Sequence, residues 1–381
     1  MMNRNKEWNM ELTRRGLARF GLAAFTARML PEAAYAQRAA IRGKLPPDTV
    51  FLNANENPEG PPKSSIEAMA KVLPEGGRYH YQEFGDFYAA LARSEDLAPE
   101  QIQVGSGSSE VLHAAIDAFT SPTRPLITVS PTYEGPVELT SRGLGRKVIQ
   151  VPLAPPYAAD VKKLVEHANA AGGGLIYLCN PNNPTSSVTP KKDMVWLVEN
   201  LPVNTILLVD EAYAHFADTP DFETMLGCVR QGRNVVVTRT FSKIYGMAGL
   251  RAGFAAASPE LIAKMAPFRN NVISVVTVHA VLAALEEAKT LIPERRAKYI
   301  RIRGEFCAWL REHSIPYIDP QANFVMIDVG RDARDFIYGM PPKGVAVGRP
   351  FPPMTNFLRV TIGTDSEMAK FRDVFWSMYK A

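Results

Sequence analysis

The sequence predicts an α/β protein: a three-layer α/β/α large domain on a mostly parallel sheet, joined to a smaller α+β domain. Short apolar runs recur at Leu126 to Val129, Lys147 to Val151, Leu175 to Cys179, Thr205 to Val209 and Val235 to Thr238, with helix-like segments between them. Near-continuous apolar strands alternating with helices are the pattern of a parallel sheet covered on both faces. After Pro259 the pattern changes. The chain reads as helical through Glu260 to Lys264 and Val278 to Leu310, then as short strands at Asn323 to Val329, Gly344 to Val347 and Phe357 to Ile362. A length of 381 residues, 46% of them hydrophobic, suffices for one large core and one smaller one. The expected divisions are a signal-like segment at 1–36, an N-terminal arm at 37–60, a large ligand-binding domain at 61–258 and a small C-terminal domain at 259–381.

The formal charge is +4, and Met1 to Ala36 carries six Lys/Arg against three Glu, so most of the excess lies there. The body is nearly neutral, which argues against a nucleic-acid partner. Within that stretch, Thr13-Arg14-Arg15-Gly16-Leu17 precedes an apolar run from Phe20 to Ala27, and Ala34-Tyr35-Ala36 precedes Gln37. This resembles a twin-arginine export signal with a small-residue cleavage site. It implies a periplasmic protein, the alternative being an amphipathic or disordered extension on a cytoplasmic one. The apolar run is too short to span a bilayer, so no stable membrane anchor is expected. Cys179, Cys228 and Cys307 are odd in number and widely spaced. They fit neither a metal site nor a disulfide framework and are expected as free, buried thiols.

The chemistry centres on Thr238 to Phe254, TRTFSKIYGMAGLRAGF. Lys243 follows a buried strand, where desolvation lowers an amine pKa from about 10.4 and leaves it able to condense with a carbonyl carbon. Arg251 lies eight residues on, and Gly246, Ala248 and Gly249 let the backbone between them fold tightly. An aldehyde carrying a phosphate satisfies both cations, the arginine making a bidentate contact to phosphate oxygens. Pyridoxal 5′-phosphate has both handles. An isolated Ser-Lys pair would more often be an exposed loop. The full run SKIYGMAGLR is more specific and resembles the lysine segment of fold-type-I pyridoxal-phosphate aminotransferases, especially the histidinol-phosphate aminotransferase family.

Further motifs lie at predicted strand ends in the order that family shows. Gly105 to Glu110, GSGSSE, opens a helix, and its N–H groups and dipole suit phosphate; ordinary N-capping by Ser108 or Ser109 is the alternative. Asp210 ends an apolar strand in VDEAY, where it could simply cap a helix. By resemblance it holds a proton on the cofactor's pyridine nitrogen, with Tyr213 hydrogen-bonded to the phenolic oxygen. Asn183 in NPNNPT, otherwise a turn, is implied to touch that same oxygen, although Ser186 stands where the family usually has glycine. Tyr133 in PTYEG is plain core or, by resemblance, stacks on the pyridine ring. Tyr79 in RYH corresponds to a tyrosine that reaches the partner subunit's cofactor, with His80 in place of the usual proline. It implies a homodimer with composite sites.

Arg359 sits inside the apolar strand FLRVTIG, and a buried guanidinium fork suits a carboxylate or phosphate. The resemblance makes it the substrate-acid ligand, with Arg349 in VGRPFPP as a second anionic contact, and makes Asn53 and Asn55 of LNANENP part of an arm that closes over substrate. Ser108, Ser109, Ser242 and Arg251 are then the phosphate anchors, and Lys243, Asp210 and Tyr133 the catalytic set. The implied reaction is transamination between an amino donor and a 2-oxo acid, histidinol phosphate with glutamate and 2-oxoglutarate being the family's pairing. The alternatives are an aromatic or other amino-acid aminotransferase, or a decarboxylase or lyase on the same scaffold. A regulator of this fold type needs a helix-turn-helix domain, for which Met1 to Phe51 has no room. A Rossmann nucleotide-binder would leave Lys243 unexplained and lacks the third glycine of that loop.

Overall fold

The computed structural model describes residues 45–269 and 272–380. The export signal read at 1–36 and the first residues of the arm lie outside them. The arm contributes β1 (Val50–Leu52) and leads into α1 (Lys63–Val72). The main sheet is built from β2 (Ile102–Gly105), β3 (Leu126–Ser130), β4 (Val148–Pro152), β5 (Gly174–Cys179), β6 (Thr205–Asp210), β7 (Val235–Thr240) and β8 (Gly253–Ala256). Its order is β2-β8-β7-β6-β5-β3-β4. Every residue of β5 and β6 is buried. A strand with one wet face would alternate, so both faces are covered, as the continuous apolar runs require. Helix α2 (Ser108–Phe119) packs on β2, β7 and β8, and α3 (Val161–Ala170) on β3, β4 and β5.

Strands β3 to β7 pair in parallel, while β8 runs antiparallel to both β7 and β2. The apolar pattern did not mark β8, because its four residues are Gly-Phe-Ala-Ala and two of them carry only a methyl group. Its reversed direction matters to the site. The start of β8, just after Arg251, lies at the same sheet edge as the carboxyl ends of the other strands, where open α/β sheets hold ligands.

Beyond the sheet, α4 (Val275–Glu286) is capped by Ser274 and packs against α1, with Ser65 Oγ donating to the Ala280 carbonyl at 2.7 Å. Helix α5 (Ala288–Glu312) follows directly. The long helical run expected at 278–310 is therefore two helices, broken at Glu287, whose φ of −100° and ψ of 7° leave the helical region. No glycine or proline marks that break; Pro293 lies inside the second helix. A three-stranded antiparallel sheet follows, ordered β12-β10-β9, from β9 (Tyr317–Ile318), β10 (Phe324–Asp328) and β12 (Phe357–Thr361). Strand β11 (Val345–Val347) pairs in parallel with β1, so the arm is sewn to the C-terminal part of the chain. Helix α6 (Asp365–Tyr379) closes the fold behind a Thr364/Glu367 capping box. The three cysteines are unpaired, Cys179 and Cys307 buried and Cys228 only partly so.

Ser186 shows how the two sheets are joined. Its φ of +61° lies in the left-handed region that favours glycine. Its hydroxyl accepts the backbone N–H of Ala322 at 2.9 Å and of Gln321 at 3.2 Å, and its carbonyl accepts Gln321 N–H at 2.7 Å. The serine thus exchanges the backbone ease of a glycine for bonds to the loop before β10. Ser186→Ala keeps the strained backbone and the carbonyl but loses the hydroxyl acceptor, so it should cost roughly 1–3 kcal/mol, and Ser186→Gly less, because relief of φ offsets the loss. Denaturant midpoints for the two variants check the order; a glycine variant weaker than the alanine one would contradict it.

Candidate active site

One cavity of about 410 Å³ opens at the carboxyl edge of the main sheet. Its walls include Asn53, Ser108, Tyr133, Asn183, Asp210, Tyr213, Ser242, Lys243, Arg251, Arg349 and Arg359. These come from loops after β2, β3, β5, β6 and β7 and from the small sheet, so residues more than 300 positions apart in sequence share one hollow.

Asp210 forms the floor. It is the last residue of β6, opposite Cys179 of β5 and Thr238 of β7. It is 3% exposed, and its hydrogen bonds come from neutral donors: Thr238 Oγ1 at 3.2 Å, the Ala212 N–H at 3.3 Å and the Tyr177 hydroxyl at 3.4 Å. Burial pushes its pKa up to about 6 against the pull of these donors and of Lys243. A carboxylate in such a place awaits a cation.

Lys243 lies in the loop between β7 and β8. Its Nζ donates to the Ala54 carbonyl at 3.2 Å and stands 5.7 Å from the centre of the Tyr213 ring. The loop is clamped from outside: the Ile244 carbonyl accepts Asn57 Nδ2 at 3.1 Å and Arg295 at 2.9 Å, and Arg295 also reaches the Gly60 carbonyl at 2.9 Å. Gly246 makes the approach possible, with φ of +72° and a position where a Cβ would lie 2.0 Å from the Gly60 carbonyl oxygen. Tyr213 is fixed by Asn55 Nδ2 at 3.1 Å and by edge-on packing against Phe324 at 5.1 Å between centroids, and burial holds its hydroxyl well above the ordinary tyrosine range. Asn55 therefore stands behind the wall instead of lining the cavity; its backbone and side chain are bound by Thr361 and Asn323.

At the opposite end, Ser108 starts α2 and Arg251, with φ of +56°, donates to the Ala248 carbonyl at 3.0 Å and reaches Ser109 Oγ at 3.4 Å. A Cβ on Gly253 would sit 2.3 Å from Ser108 N, so only glycine lets β8 pass the start of the helix. Thr240 Oγ1 donates to Ser242 Oγ at 2.8 Å and accepts the Ser242 N–H at 3.0 Å. Hydroxyls, a helix N-terminus and a guanidinium converge, which is chemistry for a phosphate.

Arg359 faces them from β12. It is 6% exposed and donates to Asn183 Oδ1 at 2.8 Å and the Asn53 carbonyl at 2.7 Å. Among the described residues its Nε has no hydrogen-bond partner, and burial lowers its pKa to about 10. Asn183, expected to face a phenolic oxygen, here supports this guanidinium. Arg349 pairs with Glu134 and lies over the Phe351 ring at 4.3 Å. Tyr79 is not in this cavity: it is 71% exposed and stacked on Tyr81 at 5.1 Å. His80, with φ of +55°, is held by Glu83, which also binds His279.

The residues fit pyridoxal 5′-phosphate on three observations: a neutrally solvated buried carboxylate, a lysine across the hollow from it, and a phosphate cradle that a Cβ on Gly253 would obstruct. Sequence reading missed Thr238, Tyr177, Thr240, Glu134, Phe351 and Arg295. Their roles depend on strand register and on distant packing, for which no local motif exists.

The chain matches the model for "Aminotransferase class I and II" over residues 47–375. It is 34% identical over 333 residues to the histidinol-phosphate aminotransferase of Symbiobacterium thermophilum, covering 85% of this chain and 89% of the relative. It is 31% identical over 349 residues to an aromatic amino acid aminotransferase of Mycobacteroides abscessus, covering 91% and 97%. The crystal structure of a histidinol-phosphate aminotransferase from Sinorhizobium meliloti, in complex with pyridoxal-5′-phosphate, superposes with a TM-score of 0.82 at 26% identity, covering 92% of this chain and 95% of that one.

The Asp210 environment predicts a pH effect. With a folded-state pKa raised from 3.8 to about 6, the folded protein without cofactor holds a proton that the unfolded chain gives up between those values. Stability then falls as pH rises from about 4 through about 6, by on the order of 3 kcal/mol in full. Asp210→Asn should therefore raise the melting temperature of cofactor-free protein at pH 8 and match the parent near pH 4. Equal melting temperatures at pH 8 would contradict a strained carboxylate.

Proposed function

The chain belongs to the class I and II aminotransferases, and we propose that it moves an amino group between a donor bearing a terminal acid, histidinol phosphate being the first candidate, and a 2-oxo acid such as 2-oxoglutarate. It is a pyridoxal-phosphate-dependent enzyme of fold type I. The observation that carries the substrate reading is Arg359, a buried guanidinium with an unused donor in the wall of the cavity that also holds Lys243 and Asp210. The similarity to a curated histidinol-phosphate aminotransferase supports it.

Pyridoxal 5′-phosphate, when bound, supplies the carbonyl that receives the donor's amine and a ring that draws off electrons from substrate Cα. Each residue then has a task. Ser108, Ser109, Ser242 and Arg251 hold the phosphate, with the positive end of α2 behind them. Asp210 keeps a proton on the pyridine nitrogen, a cation that relieves the burial of its own charge. Tyr133 would lie against the ring face and Tyr213 would serve the phenolic oxygen, with Asn183 holding the Arg359 guanidinium beside them. Lys243 Nζ takes the proton from substrate Cα and returns it as general acid. Arg359 orients the donor's acid, with Asn53 and Asn55 placing the arm beside it. Tyr79 completes the neighbouring site in a homodimer; its exposure, with Tyr81 and Leu73 also exposed nearby in sequence, supports this.

A second reading has support of its own. The Phe324 and Phe351 rings lie 5.4 and 4.7 Å from the Arg359 guanidinium, and one relative acts on aromatic amino acids by its name. An aromatic donor would place its ring among them. Export of the folded protein through the Thr13 to Leu17 motif is proposed on sequence pattern alone, and a mature protein beginning at Gln37 is the expected result.

The test is a donor screen with 2-oxoglutarate as acceptor, histidinol phosphate against phenylalanine. Turnover with the phosphate donor is expected. Arg359→Gln should lower kcat/KM for the accepted donor roughly 100-fold, mostly through KM, while leaving the cofactor's visible absorbance in place. A change under about threefold would remove Arg359 from the acid site.

A further inference from the structure

Arg349 stands between two cavities. It lines the main one, and it lines a second of about 380 Å³ that also touches Pro131, Thr132, Glu134, Glu138 and Phe351. Its guanidinium is paired to the carboxylate of Glu134, and the two side chains are only 19% and 23% exposed. That is a partly dry ion pair, stronger than one on open surface. The guanidinium carbons of Arg349 and Arg359 lie 4.3 and 4.7 Å from the centroid of the same Phe351 ring. The two cations are thus within about 9 Å of one another, on one aromatic support.

This arrangement fixes the charge at the acid end. Two guanidiniums stand there, but Glu134 has already claimed one. A donor with a single negative charge meets Arg359 alone and is matched. A phosphate monoester, with nearly two charges, draws on Arg349 as well, and the carboxylate of Glu134 already offsets the charge of that guanidinium.

We propose that Glu134 is a specificity-determining residue that acts through Arg349, tempering the site's affinity for dianionic phosphate donors relative to monoanionic ones without shutting the phosphate donors out. The inference rests on the reading of Arg359 as the acid ligand and deepens it. Glu134 touches no reacting atom and is a positioning residue. Its own element is short: it precedes the helical turn Gly135–Glu138. The other charged side chain on the second cavity, Glu138, has Arg142 within 3.7 Å. Glu134 is therefore the carboxylate that governs Arg349.

The experiment uses cofactor-loaded enzyme and two unreactive ligands that share an aromatic body, 3-phenylpropionate and 2-phenylethyl phosphate. Dissociation constants are measured by calorimetry for the parent, Glu134→Gln, Arg349→Gln, the double variant and Arg359→Gln. Removing the Glu134 charge is expected to tighten the phosphate roughly tenfold and the carboxylate by less than about threefold. The gain must vanish in the Arg349→Gln background, since Glu134 acts through that residue. Equal changes for both ligands, or a gain that survives without Arg349, would overturn the proposal. If Arg359→Gln leaves both constants unmoved, the acid end lies elsewhere and the functional reading falls with it. A strong effect of Arg359→Gln with no shift in the ligand ratio on Glu134→Gln sinks this inference alone. Glutamine keeps the size of the side chain, and the cofactor's visible spectrum reports whether each variant has folded.

Discussion

The burial of one carboxylate, at the end of the central strand, is the constraint around which this protein is arranged. Asp210 is flanked by β5 and β7 in parallel register, so it is almost wholly buried at the floor of the cavity, and among the described residues its carboxylate accepts hydrogen bonds from Thr238, Tyr177 and a backbone amide. Neutral donors do not cover the cost of desolvating a charge, and the raised pKa measures the shortfall. In the proposed role a protonated ring nitrogen held by Asp210 would make up the difference. Binding and catalysis would then share a cause, because the charge that favours cofactor binding would also keep the ring electron-poor.

The remaining groups are held at fixed distances from that point by contacts from far away in sequence. The Lys243 loop is clamped by Arg295 of α5 and Asn57 of the arm, and the arm is bound to β11 and, through Asn55, to Thr361 and Asn323. Movement of the small sheet would carry Arg359 and the arm together, since the Asn53 carbonyl accepts from Arg359. Arg359 and the segment over the lysine are one mechanical unit. The Arg349–Glu134 ion pair stands beside that unit, with the Arg349 and Arg359 guanidiniums over the same Phe351 ring.

Much of this was legible before any coordinates. Lys243, Asp210, Tyr133, Ser108, Ser242 and Arg251 each follow a strand or open a helix with a distinctive local run, and the parallel sheet gathers such ends at one edge. What could not be read has a common physical origin. Strand β8 is small-residue backbone with no apolar signature, and its antiparallel course, which brings Arg251 to the site, is a property of pairing. Ser186 reads in the sequence only as a serine in place of a usual glycine; its compensation comes from Ala322 and Gln321, over a hundred residues on. Asn183 and Asn55 lie in recognisable motifs, yet their side chains serve Arg359 and Tyr213. The helix break at Glu287 has no glycine or proline at it, and the packing of α4 on α1 that precedes it is not written in any local motif.

The central claim is that Lys243 Nζ is the nitrogen that binds the cofactor's carbonyl carbon, opposite Asp210 and beyond the phosphate cradle of Arg251. Borohydride reduction of the loaded enzyme, followed by proteolysis and mass spectrometry of the peptides, tests it directly. The account predicts a stable pyridoxyl adduct on the peptide bearing Lys243 and on no other lysine. An adduct on a different lysine, or none on purified enzyme supplied with the cofactor, would contradict it.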